Sequence, residues 1–304
     1  MTEQALDQNT DQNVDQSIEQ RSLLSSYISI TKPGIVGLTL VAALTGIYFG
    51  NHGILPNWSV IFWTFLTLGL ATAGSCMLNN VYDRDIDRIM KRTSKRAMAQ
   101  DIIPAKHALI VGLVLTIGSL ALMAYVVNPL TAIVTAVGVV GYVVVYTMWT
   151  KRTTPWANQL GGIAGAVPPM VGYAAVTGEL GAAAWILFAI MVVWQQPHAL
   201  ALALKYREDY ARANVPVIPV ACGVQATKIR IFLYTLFLIP VATLPYFFEM
   251  AGMIYLVASI ALSLGFLFTA VRFLRSDRDC DMRVFAFSLV YFILLFGVLV
   301  IDAI

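Results

Sequence analysis

The chain has 304 residues, 59% of them hydrophobic and only 12% charged, with a formal net charge of +3. Soluble domains carry roughly 25% charged residues, so this balance, together with a mean hydropathy of +0.75, excludes a soluble globular protein. No nucleic-acid partner is expected.

The first 28 residues, "MTEQALDQNTDQNVDQSIEQRSLLSSYI", are rich in Gln, Asn and Asp and hold one arginine and no long apolar run. They lack the basic start and apolar middle of a signal peptide and read as a disordered acidic cytoplasmic tail. Residues 29–304 read as one membrane domain. Nine apolar runs fill it, at about 34–50, 59–79, 107–127, 130–149, 157–177, 181–203, 230–248, 252–271 and 284–302. Each is near the ~20 residues that cross a bilayer. Backbone groups in lipid must be satisfied within the segment, and the alternating ten-residue segments of a membrane barrel do not occur. The expectation is an all-α integral membrane protein with nine transmembrane helices around a central cavity that opens to the cytoplasmic side.

Taken alternately, the loops place all 20 Lys and Arg on one side. The opposite loops, "NHGILPN", "VNP", "TGELG" and "FEMAG", contain none. The positive-inside rule makes the basic side cytoplasmic, with the N-terminus inside and the C-terminus across a cell's inner membrane.

The second run ends in "NNVYDRDIDRIMKRTSKR", residues 79–96, which packs three aspartates and six Lys or Arg into one stretch. Asn79, Asp83 and Asp87 recur every four residues, so on a continuing helix they share a face a turn apart. Two carboxylates and an amide oxygen aimed together suit Mg²⁺, which takes one or two carboxylates and completes its shell with water and substrate phosphate. Asp85 leaves that face and is expected to pair with Arg84 or Arg88. Lys91, Arg92, Lys95 and Arg96 offer charge for diphosphate oxygens. A role as topology anchors explains the basic residues as well. It does not explain the aspartates, which contribute little to orientation.

Between the fourth and fifth runs lies "YVVVYTMWTKRTTPWANQLGGIAGAVPPMVGY", residues 142–173. Tyr142 and Tyr146 share a helical face leading to Lys151 and Arg152, which either close over an anion or simply anchor the loop. Gly161, Gly162 and Gly165 with Pro168 and Pro169 imply close helix contact and a broken helix. The sixth run ends in "WQQPHALALALKYREDYARANVPVIP", residues 194–219. Polar groups inside a span are costly and usually functional, which draws attention to Gln195, Gln196 and His198, although a lone histidine also serves as a hydrogen-bonded packing residue. Lys205 and Asp209 follow at i, i+4. Cys76, Cys222 and Cys280 have no metal-type spacing.

These stretches resemble the intramembrane aromatic prenyltransferase (UbiA) superfamily. Its first signature, N-x-x-x-D-x-x-x-D, matches Asn79, Asp83 and Asp87. The resemblance covers about residues 28–304, and "TKPGIVGLTL" with the three stretches above is similar to the branch whose acceptor is haem B. Relatives that act on quinone precursors carry a second aspartate-rich motif at the end of the sixth helix. Here His198 and Lys205 stand where that motif has aspartates, and Asp209 keeps one. The resemblance implies transfer of the farnesyl group of farnesyl diphosphate to a vinyl group of haem B. Water addition then gives the hydroxyethylfarnesyl side chain of haem O, and Mg²⁺ assists diphosphate departure. It implies Asp83, Asp87, His198 and Asp209 as catalytic, Asn79, Asp83 and Asp87 as metal ligands, and Arg92, Arg96, Lys151 and Arg152 at the diphosphate. His198 and Lys205 fall to the haem, with His198 open between ligand, orienting contact and base. Partners implied are the bilayer and a downstream haem-modifying enzyme or oxidase assembly. The alternatives are a prenyltransferase for a quinone precursor, disfavoured by His198 and Lys205, and a polytopic transporter. The transporter is disfavoured because the charges gather at the cytoplasmic ends rather than the midplane.

Overall fold

A computed structural model of the chain describes residues 23–304. Most of the expected tail therefore lies outside the described residues. Its last six positions correct the boundary, because they begin a helix, Leu23–Ile30. The cause is long-range packing: Ile30 is buried with Met77, Met98, Ile103 and Ala108, and the Asn80 amide donates to the Ile30 carbonyl at 2.9 Å.

Among the described residues nine helices are long and apolar enough to cross a membrane, as the apolar runs required. They are α1 (Pro33–Gly50), α2 (Trp58–Ile89), α3 (Ala105–Val126), α4 (Pro129–Thr153), α5 (Ala157–Thr177), α6 (Ala182–Lys205), α7 (Gly223–Phe247), α8 (Met253–Leu274) and α9 (Met282–Ile301). At 1.5 Å per residue α2 is ~48 Å long, against roughly 30 Å of hydrocarbon. It is therefore longer than the apolar layer is thick, and its last turns, which carry Asn79 to Asp87, continue as uninterrupted helix.

Small residues bring α1 and α5 into backbone contact. A Cβ on Gly172 would lie 1.9 Å from the Ala43 carbonyl oxygen, and one on Gly46 would lie 1.8 Å from that of Pro169. Helix α5 breaks at Val167, between Ala157–Ala166 and Pro168–Thr177, as its prolines dictate by withholding backbone donors. The end of α4 was not foreseen. Residues Gly141–Thr150 form a π-helix, and the Thr147 and Thr150 hydroxyls each donate at 2.8 Å to the carbonyl five residues back. Such turns are rare and gather at functional sites.

Two apolar cores hold the bundle. One joins α6 to α9 through Leu187, Ile231, Phe266 and Tyr291. The other joins α1, α2, α4 and α5 through Ala43, Leu68, Val134 and Val171. The segments after α2 and α6 pack on each other through Ile86, Met90, Ala213, Val215 and Val217, forming a cap over the ends of these helices. A cavity of about 170 Å³ lies between α1, α2, α4 and α5, bounded by Thr39, Leu68, Cys76, Tyr142, Gly165 and Val171 among others.

Candidate active site at the end of α2

Charged groups taken from water need partners, and both aspartates of the four-residue ladder are buried, Asp83 at 1% and Asp87 at 2% exposure. Each has a cation. Asp83 Oδ2 accepts from Lys151 Nζ at 2.5 Å and from Asn79 Nδ2 at 2.8 Å. Asp87 Oδ2 accepts from the Arg96 guanidinium at 2.8 Å. Asn79 Nδ2 also reaches Thr147 Oγ1 at 3.0 Å, while its Oδ1 accepts from Lys32 Nζ at 2.6 Å. Three cations from three separate segments therefore converge on one face of α2. The π-helical end of α4 supplies both Thr147 and, just beyond it, Lys151.

Lys32 was missed as a site residue and is brought in by the backbone. It adopts a left-handed conformation, φ 53°, in the turn between the Leu23–Ile30 helix and α1. The proline that follows disfavours the right-handed helical region for it. Burial pushes its ammonium down to about 8. The one sequence signal was its isolation: no other Lys or Arg lies between Arg21 and Arg84.

The ladder fits a hard divalent cation. Asp83 Oδ1 is buried without a hydrogen-bond partner, an oxygen left over for a ligand. No group of three or more His, Cys, Asp or Glu side chains forms a closed metal cage among the described residues. A metal here would complete its shell with water and phosphate, as Mg²⁺ habitually does.

The remaining candidates are distributed differently from expectation. Arg152 grips both oxygens of Asp85 at 2.7 Å and donates to the Tyr82 carbonyl at 2.7 Å, so it sits on the flank of the site. This corrects the pairing assigned to Asp85. Arg84 is adjacent in sequence and cannot face it on a helix, and Arg88 turns instead to Asp101 and to the Ala99 carbonyl at 2.9 Å. Asp209, buried in the cap, accepts the Lys91 and Arg92 backbone N–H groups at 3.3 and 3.1 Å and pairs with Arg212. Its carboxylate thus clamps the two cap segments together. Arg92 and Lys205 lie over the Tyr206 ring beside it. His198 is in the seam between α6 and α9, its Nδ1 2.8 Å from the Ser288 hydroxyl and its ring stacked between Trp194 and Phe285 at 5.3 and 4.5 Å. The fold thus joins Asn79, Asp83, Asp87, Arg96 and Lys151, places Arg92, Lys205 and Asp209 in the adjoining cap, and gives His198 a separate set of partners.

Comparison with known proteins identifies the family. The UbiA prenyltransferase family matches residues 39–296. Among solved structures, a digeranylgeranylglyceryl phosphate synthase aligns with a TM-score of 0.78 at 16% identity, covering 92% of this chain and 98% of that one. A UbiA homolog from Archaeoglobus fulgidus bound to GPP and Mg²⁺ aligns with a TM-score of 0.62 at 19% identity, covering 90% and 99%. At these identities the two share the fold. The chain belongs to the UbiA prenyltransferase family. The Protoheme IX farnesyltransferase of Aquifex aeolicus (strain VF5) is 40% identical over 282 residues, 93% of this chain and 96% of that protein. That of Thioalkalivibrio sulfidiphilus (strain HL-EbGR7) is 40% identical over 277 residues, 91% of each.

Proposed function

We propose that this chain transfers the farnesyl group of farnesyl diphosphate to a vinyl carbon of haem B, forming haem O. The observation that carries the reaction class is the α2 ladder, with acid and amide oxygens matched to Lys32, Lys151 and Arg96. The acceptor rests on likeness to protoheme IX farnesyltransferases along more than nine-tenths of the chain. The farnesyl C1–O bond breaks and a carbon–carbon bond forms to the vinyl group. Water then adds its hydroxyl at the neighbouring carbon and gives up a proton, and diphosphate leaves.

Mg²⁺ held by Asn79, Asp83 and Asp87 would supply Lewis-acid stabilisation of the leaving group. The protein's own cations do the same by hydrogen bond. Lys32, Lys151 and Arg96 each rest on a ladder oxygen and need only pivot to reach a phosphate placed over it, where charge-assisted bonds to developing negative charge are strongest. The cavity between α1, α2, α4 and α5 receives the isoprenoid chain. Cys76 on its wall lies three residues before Asn79 on the same helix, which puts the cavity wall within about one turn of the ladder. Its walls keep water from the allylic cation until the acceptor has reacted.

Membranes containing the chain, given haem B, farnesyl diphosphate and Mg²⁺, are expected to yield a haem carrying both farnesyl and hydroxyl, identified by mass. Unchanged haem B alongside prenylation of an aromatic quinone precursor would move the chain to the other branch.

We also infer that residues 23–304 act as one catalytic unit with the ladder on the cytoplasmic side of the inner membrane, because every Lys and Arg lies on that side. A reporter active only outside the cytoplasm is expected to work after Ile304 and to stay silent when inserted in residues 92–105. The reverse pattern would overturn the orientation.

A further inference from the structure

A second pocket, about 580 Å³, opens in the cap between the ends of α2 and α6, with five cationic side chains and three carboxylates on its walls. Its organisation is unlike that of the ladder. Asp209, the one buried carboxylate there, has its oxygens taken by two backbone N–H groups and Arg212. The other two, Glu208 and Asp279, are exposed, so no buried acid is left to hold a hard cation in the manner of Asp83. The Arg92 guanidinium lies 4.5 Å and the Lys205 ammonium 5.3 Å from the centroid of the same Tyr206 ring. Neither belongs to any ion pair among the described residues. Two like charges held on one aromatic ring repel each other, and an anion brought between them relieves that repulsion.

We propose that Arg92, Tyr206 and Lys205 form a carboxylate clamp for the two propionates of the haem acceptor, which turns the opposite, vinyl-bearing edge toward the membrane interior. The proposal rests on the haem reading above. The chemistry favours separated carboxylates over a diphosphate. Diphosphate charge is compact and is met by the converging cations and metal-type oxygens of the ladder. The propionates are two single charges on flexible arms, which two separate cations satisfy, and Tyr206 adds an aromatic surface against which a macrocycle edge can lie.

The test uses the full chain in detergent with three probes: haem B, its dimethyl ester and farnesyl diphosphate. Wild type is expected to bind the diacid at least about tenfold more tightly than the diester, as befits charged hydrogen bonds. Lys205→Gln is expected to weaken diacid binding by about tenfold, to leave diester and farnesyl diphosphate binding unchanged, and to be rescued by Lys205→Arg. Retained farnesyl diphosphate binding reports that the variant is folded. Equal wild-type affinity for diacid and diester would overturn the clamp while leaving the haem reading intact. Loss of farnesyl diphosphate binding with normal haem binding would assign the pocket to diphosphate. If wild type binds neither form of haem, the haem reading falls and the clamp with it.

Discussion

Asp83→Asn is expected to lower turnover by roughly 10²–10³-fold, the scale of losing one preorganised electrostatic contact at a reacting centre, whereas Asp85→Asn stays within about a few-fold. The two residues are neighbours in sequence and opposites in environment. Asp83 is buried at 1% exposure, receives Lys151 and Asn79 on one oxygen, and keeps its other oxygen unpartnered. The amide of an asparagine returns a neutral group to that place and withdraws both the charge that would hold Mg²⁺ and the partner of Lys151. Asp85 has a side chain 61% exposed and pairs with Arg152, itself 32% exposed, and pairs in contact with solvent contribute at most about 1 kcal/mol. Activity measured across a Mg²⁺ titration distinguishes them. Asp83→Asn should need far more Mg²⁺ and still fall short, and Asp85→Asn should follow the wild-type curve. Equal losses would mean that the four-residue ladder is not the metal face.

What the sequence disclosed and what it withheld divide along the reach of each contact. Asn79, Asp83 and Asp87 were legible because their relation is carried by the period of a single helix. The nine spans were legible because lipid imposes one length and one composition. Lys32 was not, since its contact with Asn79 spans 47 residues and depends on a left-handed turn that a hydropathy pattern does not encode. The π-helix of α4 hides for a similar reason: its apolar sequence serves an α- or π-helix equally well, and the threonines that satisfy its carbonyls are unremarkable in a list. Asp209 shows what alignment with an aspartate motif leaves out: the motif suggested chemistry, and the fold adds that its carboxylate accepts two backbone N–H groups of a distant loop and pairs with Arg212. His198 was singled out as a polar intruder in an apolar span, and packing supplies it with Ser288, Trp194 and Phe285, partners no local pattern could name.

Lys151→Met is expected to lower kcat/KM for farnesyl diphosphate by about 10²-fold, and Lys32→Met by about tenfold, the range covered by losing a charged hydrogen bond. The order follows from what each lysine rests on. Lys151, 12% exposed in its side chain, is paired with a carboxylate at 2.5 Å. Its removal leaves Asp83 a buried charge with only amide support, and breaking such a pair costs about 3–5 kcal/mol, so thermal stability should fall along with activity. Lys32 rests on the neutral oxygen of Asn79 at 2.6 Å, so its loss removes the diphosphate contact proposed for it without stranding a charge, and stability should hold. Lys151→Arg is expected to recover part of the stability but less of the activity, because a planar guanidinium keeps the charge and loses the compact ammonium's fit between Tyr146 and Asp83. Steady-state kinetics with farnesyl diphosphate, paired with thermal melts in detergent, checks all three variants. Wild-type kcat/KM in Lys151→Met would reduce Lys151 to a membrane anchor. A Lys32→Met variant more damaged than Lys151→Met would show that the cation on Asn79, rather than the one on Asp83, carries the leaving group.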